Sequence, residues 1–212
     1  KIIMCIAIII IAISNLLLMM SPSYFYLLLF AIPTGVGWGS SAPIAGIHAN
    51  LIEKHSGKIV VPYYAMGFNL GMFVGGICAG IFINYQFTPK YVFSILIIIS
   101  FLISLVIYNF ALPNNLDFKG KGDKLKLPEK NILLFGLLLF MIFGSNGIMV
   151  DWSTLWLTKD LNSPLYLGGL GLMFFSFGGM LANLFSVQLI NYFSEKVVGC
   201  IFVLIGSSLL LL

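Results

Sequence analysis

Asp151 is the one carboxylate set inside a long apolar run, where a charged group is costly and is either working or carefully satisfied. In Met149-Val150-Asp151-Trp152-Ser153 it could bind a solute or carry a coupling proton. The alternative, and the favoured reading, is a cap: its carboxylate would accept the free N–H groups of a short interfacial helix from Trp152 to Leu161. Asn146 lies between Gly144 and Gly147 beside Ser145. Two glycines around two polar residues weaken a helix and can release backbone groups to a ligand. Gly144 and Gly147 are therefore candidate helix-break positions and Asn146 a candidate solute ligand. The competing reading is close packing, with Ser145 bonded to the turn before it.

Trp38 stands among Gly37, Gly39, Ser40 and Ser41, and an indole face beside hydroxyls suits stacking on a sugar ring or another flat face. Trp38 and Ser41 are candidate binding residues, with interhelical packing as the equal alternative for Trp38. Asn69 shares a helix face with Gly76 and Gly80, which favours an interhelical hydrogen bond over solute binding. His48 can shuttle protons near neutral pH, although a capped histidine at the inner end of its helix is the safer reading. Three cysteines, Cys5, Cys78 and Cys200, stand apart in apolar segments without metal-ligand spacing. No phosphate loop and no nucleophile–base pair occur, so neither a metal nor a cofactor is expected.

The elements that must hold these residues follow from hydrophobicity. Of 212 residues 60% are hydrophobic and 8% charged, against about 25% charged in soluble domains. So few charges cannot cover a soluble surface, so the expected solvent is a lipid bilayer. A spanning helix needs about 20 apolar residues. Seven segments qualify, at about 2–20, 24–50, 60–84, 91–111, 131–157, 164–191 and 197–212. Counting at 1.5 Å per residue puts Asn146 about 24 Å and Asp151 about 31 Å from Lys130, and Trp38 about 20 Å from the outer start of its segment.

All the basic residues are lysines, and nine of them (Lys1, Lys54, Lys58, Lys119, Lys121, Lys124, Lys126, Lys130 and Lys196) fall in connections on one side. Lys90 and Lys159 fall on the other. The positive-inside rule makes the lysine-rich side cytoplasmic. Tyr24, Tyr26, Tyr85, Tyr91, Trp152, Trp156 and Tyr166 would mark the outer boundary. Segments one and four carry no glycine and are expected at the lipid-facing periphery, the glycine-rich second and third between them are expected to pack closely, and the seventh is intermediate. The polar, lysine-rich loop from Pro113 to Lys130 divides the chain into part of one helical bundle (1–112), a cytoplasmic linker (113–130) and part of a second bundle (131–212), the layout of repeat-built transporters. A net charge of +4, spread along the chain, argues against nucleic acid as a partner.

The chain resembles the major facilitator superfamily. The string Met149–Leu157 is similar to the end of the seventh helix in one bacterial branch. Gly169-Leu170-Gly171, Phe175-Ser176 and Gly178 are similar to that branch's eighth helix, and Glu53-Lys54-His55-Ser56-Gly57-Lys58 resembles its charged loop between helices four and five. The resemblance spans helices three to nine of twelve and lies distantly near the fucose permease group of proton–sugar symporters. It implies an all-α, multi-pass membrane bundle in a bacterial inner membrane, moving a small polar solute by alternating access as a monomer. Two departures stand out. Ala182–Gln188 lacks the Asp and the basic residues of the usual loop after helix eight, and Asn146 occupies a place where the branch often has Glu.

Three functions compete on this reading. The first is an ion- or proton-coupled secondary transporter. The second is a truncated or degenerate copy without activity, since the chain starts and stops within apolar runs and is expected to be a fragment. The third, a membrane enzyme, would need convergent groups in a pocket, and Glu53 and His55 share only a surface loop. The chain is therefore not expected to be an enzyme.

Overall fold

A computed structural model describes residues 2–111 and 129–209. Seven α-helices run through them: α1 (Ile2–Met19), α2 (Tyr24–Ser56), α3 (Val61–Asn84), α4 (Pro89–Phe110), α5 (Lys130–Leu155), α6 (Leu170–Tyr192) and α7 (Glu195–Leu209). A π turn at Trp156–Asp160 extends α5, and a 3-10 turn at Leu165–Leu167 leads into α6. No strand occurs among the described residues. The helices fall on the seven expected segments, so the chain is an all-α membrane protein. Five stretches of described residues are long and apolar enough to cross a bilayer: α1, α2, α3, α4 and Leu165–Leu189.

The outward faces are aliphatic. On α4, Ile95, Ile98, Phe101, Leu102 and Leu105 are all exposed. An apolar face of this extent is not left to water, and lipid is the solvent that satisfies it. Tyr24, Tyr85, Tyr91, Trp152 and Trp156, the expected boundary aromatics, are also exposed.

Contacts group the chain into two units. The first contains Lys1–His48 and Ile81–Gly147, the second Ala49–Gly80 and Ile148–Leu212. In the first unit α1 packs along α4, and the Cys5 thiol donates to Ser104 O across the pair at 3.4 Å. Cys5, Ala7, Ala12 and Ser14 of α1 and Ser104 of α4 are buried. The two glycine-free helices, whose other faces stay exposed, therefore pack on each other through small residues other than glycine. Alanine, serine and cysteine are small enough to let backbones approach, and the glycine count overlooked them. Gly37 of α2 completes the contact: a side chain there would meet Ile11 Cγ1 at 2.5 Å and Ala7 O at 3.2 Å.

In the second unit Glu53 joins two spans. Val60 and Val61 N–H donate to Glu53 Oε2 at 2.8 and 3.1 Å, so a carboxylate in the last turn of α2 caps the first turn of α3. Gly57 makes the reversal at φ +65°, a left-handed backbone that favours glycine. The bundle division at 113–130 has its linker almost wholly outside the described residues, together with Lys119, Lys121, Lys124 and Lys126.

Candidate functional site: polar groups along the spans

Helix α2 is 33 residues long, roughly 50 Å, against a hydrocarbon core of about 30 Å. Two prolines lie inside it, Pro33 and Pro43. Neither has an N–H, so Leu29 O and Gly39 O lose their ordinary helical donors, and each proline ring crowds the carbonyl four residues back. Trp38 sits midway between the two and is about half exposed at 49%. Ser40 and Ser41 follow it, their hydroxyls donating to Val36 O at 2.8 Å and Trp38 O at 3.3 Å. The weakened helix thus presents an indole and two hydroxyls at mid-span. The two prolines are legible in the sequence and are the signal that the emphasis on glycine missed.

His48 is half-buried, eight residues before the end of α2. The expected position at the inner end of its helix is corrected. The segment does not stop near residue 50 but continues to Ser56, because Glu53 is bonded into the next helix and not left in a loop.

Helix α5 corrects two further expectations. It is α-helical without interruption across Gly144 and Gly147, so no helix break forms there. Nor do those glycines mark close packing, since a side chain at either would meet open space. Ser145 Oγ donates to Met141 O at 2.9 Å, the local alternative anticipated for it, and Asn146 is half-buried beside it. Asp151 is not a cap: it lies inside α5, one turn before its end, with its side chain exposed. The irregularity in this helix comes later, at the π turn Trp156–Asp160. π turns are rare and frequently fall at functional positions.

Hydroxyls and glycines hold that turn against the start of α6. Thr154 Oγ1 donates to Gly168 O at 2.9 Å, and Thr158 Oγ1 donates back to Thr154 O at 2.8 Å. A side chain on Gly171 would meet Ser153 Oγ at 2.5 Å. Trp152, Trp156 and Phe174 then line an open, apolar cavity of about 550 Å³. Asp151 is next to this wall in sequence and lies within the same unit.

Asn69, on α3, spends its amide N–H on Ala65 O at 3.1 Å. The amide also lies where a side chain on Gly179 would be, 2.7 Å from its Oδ1. Phe73 and Phe177 meet beside it, with ring centroids 6.0 Å apart. On the same α6 surface Ser176 is wholly buried, and its Oγ has no hydrogen-bond partner. A buried hydroxyl left unsatisfied costs about 1–3 kcal/mol. The sequence marks Ser176 only as part of the Phe175-Ser176 string, because its burial and its unbonded hydroxyl are properties of the fold.

The candidate residues therefore divide between the units. Trp38, Ser41, His48, Gly144, Asn146 and Gly147 lie in the first, Asn69 and Asp151 in the second. Among the described residues no group of His, Cys, Asp and Glu is arranged to hold a metal ion. A family model of the Major Facilitator Superfamily matches residues 1–212. No curated protein and no solved structure matches the chain.

Proposed function

The chain belongs to the Major Facilitator Superfamily and so to a class of membrane transporters; on that premise we propose that it moves a small polar solute by alternating access, coupled to protons. The observation that carries the reading is Trp38 at mid-span of α2, half-exposed, followed by Ser40 and Ser41 and flanked by Pro33 and Pro43. An indole face stacks on the apolar face of a sugar ring while neighbouring hydroxyls meet its hydroxyls. Sugars are accordingly the first solute class to test. Asn146 and Asn69 are the uncharged polar ligands of the proposal. Asp151 and His48 are its proton-coupling candidates, being the titratable side chains closest to the polar stretches of α5 and α2.

In the proposed architecture residues 1–112 belong to one helical bundle and 131–212 to another, joined on the cytoplasmic side by 113–130. The chain would act as a monomer in a bacterial cytoplasmic membrane. Purified protein in liposomes, given an inward proton gradient and a panel of labelled sugars, tests the function. Uptake that collapses with an uncoupler is the expected result. Failure to accumulate any solute of the panel, with the protein folded and correctly oriented, overturns it.

A further inference from the structure

Four contacts fix how α3 lies on α6. Gly80 meets Tyr166 O, Gly76 meets Gly169 O and Met173, Phe73 meets Phe177, and Asn69 meets Gly179. Position numbers fall along α3 as they rise along α6, so the two helices are antiparallel, and glycines on both sides bring the backbones close. Asn69 enters a hole that exists only because residue 179 has no side chain: a Cβ there would stand 2.7–3.0 Å from the three amide atoms.

Three residues before Gly179, one turn along α6, is Ser176, fully enclosed and with no partner for its hydroxyl. Four other helical serines, Ser14, Ser40, Ser145 and Ser186, each donate to a carbonyl of their own helix. Three residues before Phe177 is Phe174, which is exposed. The same step of three thus offers a new partner to Asn69, an unbonded hydroxyl, and a new partner to Phe73, a second phenyl ring.

We propose that α3 and α6 have two registers one helical turn apart, with Asn69 seated over Gly179 in one and hydrogen-bonded to Ser176 in the other. The first register, present in this structure, is held by shape; the second is held by the amide–hydroxyl bond. A shift of three residues is about 4.5 Å. It moves Phe73 from Phe177 to Phe174 in the same stroke, so aromatic contact is exchanged and not lost. Small residues along both faces let one helix slide on the other, and a one-turn ratchet between packed elements is an established form of switching. Use of the shift in alternating access rests on the transporter reading; the existence of two registers does not, and it is measurable without any solute.

The test places spin labels at Tyr63, near the start of α3, and Leu165, ahead of α6, in the full chain with Cys5, Cys78 and Cys200 replaced by alanine. Both labelled positions are exposed. Pulsed dipolar spectroscopy then reads the distance along the helix pair. Gly179→Ala closes the hole under Asn69 and should move the population to a distance shorter by about 4–5 Å. Adding Asn69→Ala should restore the longer distance, because the obstructing amide is gone. Adding Ser176→Ala to Gly179→Ala should deplete the shorter distance by removing the hydroxyl that holds it. If Gly179→Ala does not fold, Asn69→Gln overfills the same hole while keeping an amide for Ser176, and should produce the same shortening. A distance unmoved by the overfilling variant, or a shorter population indifferent to Ser176→Ala, overturns the proposal.

Discussion

At the scale of single residues, polar chemistry in these spans is mostly local. Ser41, Ser145 and Asn69 each donate to a carbonyl of their own helix. In lipid no water relieves an unpaired donor, so the nearest carbonyl takes it. Trp38 differs because its value lies in a ring face and not in a donor. Trp38→Ala should raise the KM for solute uptake by up to about tenfold, given about 0.5–1.5 kcal/mol for an aromatic stacking contact. Trp38→Phe should recover most of it, and an unchanged KM in the alanine variant removes Trp38 from the site. Asp151→Asn separates coupling from binding. Uptake driven by a proton gradient should be lost while solute exchange across liposomes at equal pH continues. Loss of both would make Asp151 a binding or structural residue, and loss of neither would clear it of any role.

At the scale of elements, α2 and its junction with α3 carry the most information. Pro33 and Pro43 weaken the ladder around Trp38, whereas the expected break at Gly144 and Gly147 is a plain helix. The difference is chemical: proline removes a donor and adds a clash, while glycine keeps its N–H and only costs conformational entropy. At the junction, Glu53→Ala should accelerate hydrogen exchange at the Val60 and Val61 amides, which now donate to its carboxylate. Unchanged exchange at both would mean that the cap does not hold the end of α3. Packing between α1 and α2 depends on small groups, and Ala7, whose carbonyl lies against Gly37, is nearly fully buried. Ala7→Leu should overpack that seam and lower the thermal midpoint, with a cost of about 1–3 kcal/mol. A midpoint equal to that of the unaltered protein would mean that the seam is loose.

At the scale of the whole molecule, the lysine distribution makes a statement about sidedness. Cysteines introduced singly at Ser56 and Glu129 should both react with an impermeant maleimide from the cytoplasmic side, and one at Gln86 from the opposite side. Reaction of Ser56 and Glu129 from opposite sides would remove the topology on which alternating access depends. Membrane residence, helical class, family and helix positions to within a few residues were all legible in the sequence. Each is a sum over many side chains, and hydrophobic length needs no partner to be defined. The exceptions are instructive. The end of α2 lies six residues beyond its expected place because a capping glutamate looks like a loop charge until the position of its N–H donors at the start of the next helix is known. Asp151 looked like a cap because nothing in its neighbours announces that α5 continues as a π turn. Ser176 stands in the sequence only as part of a helix string, with nothing to mark its burial. The sequence alone therefore determined the solvent, the fold class and the spans. Which helices touch, which glycines are holes, and which buried hydroxyl among the described residues lacks a partner emerge only on folding, because those properties belong to pairs of residues far apart in the chain, and residue type does not encode distance.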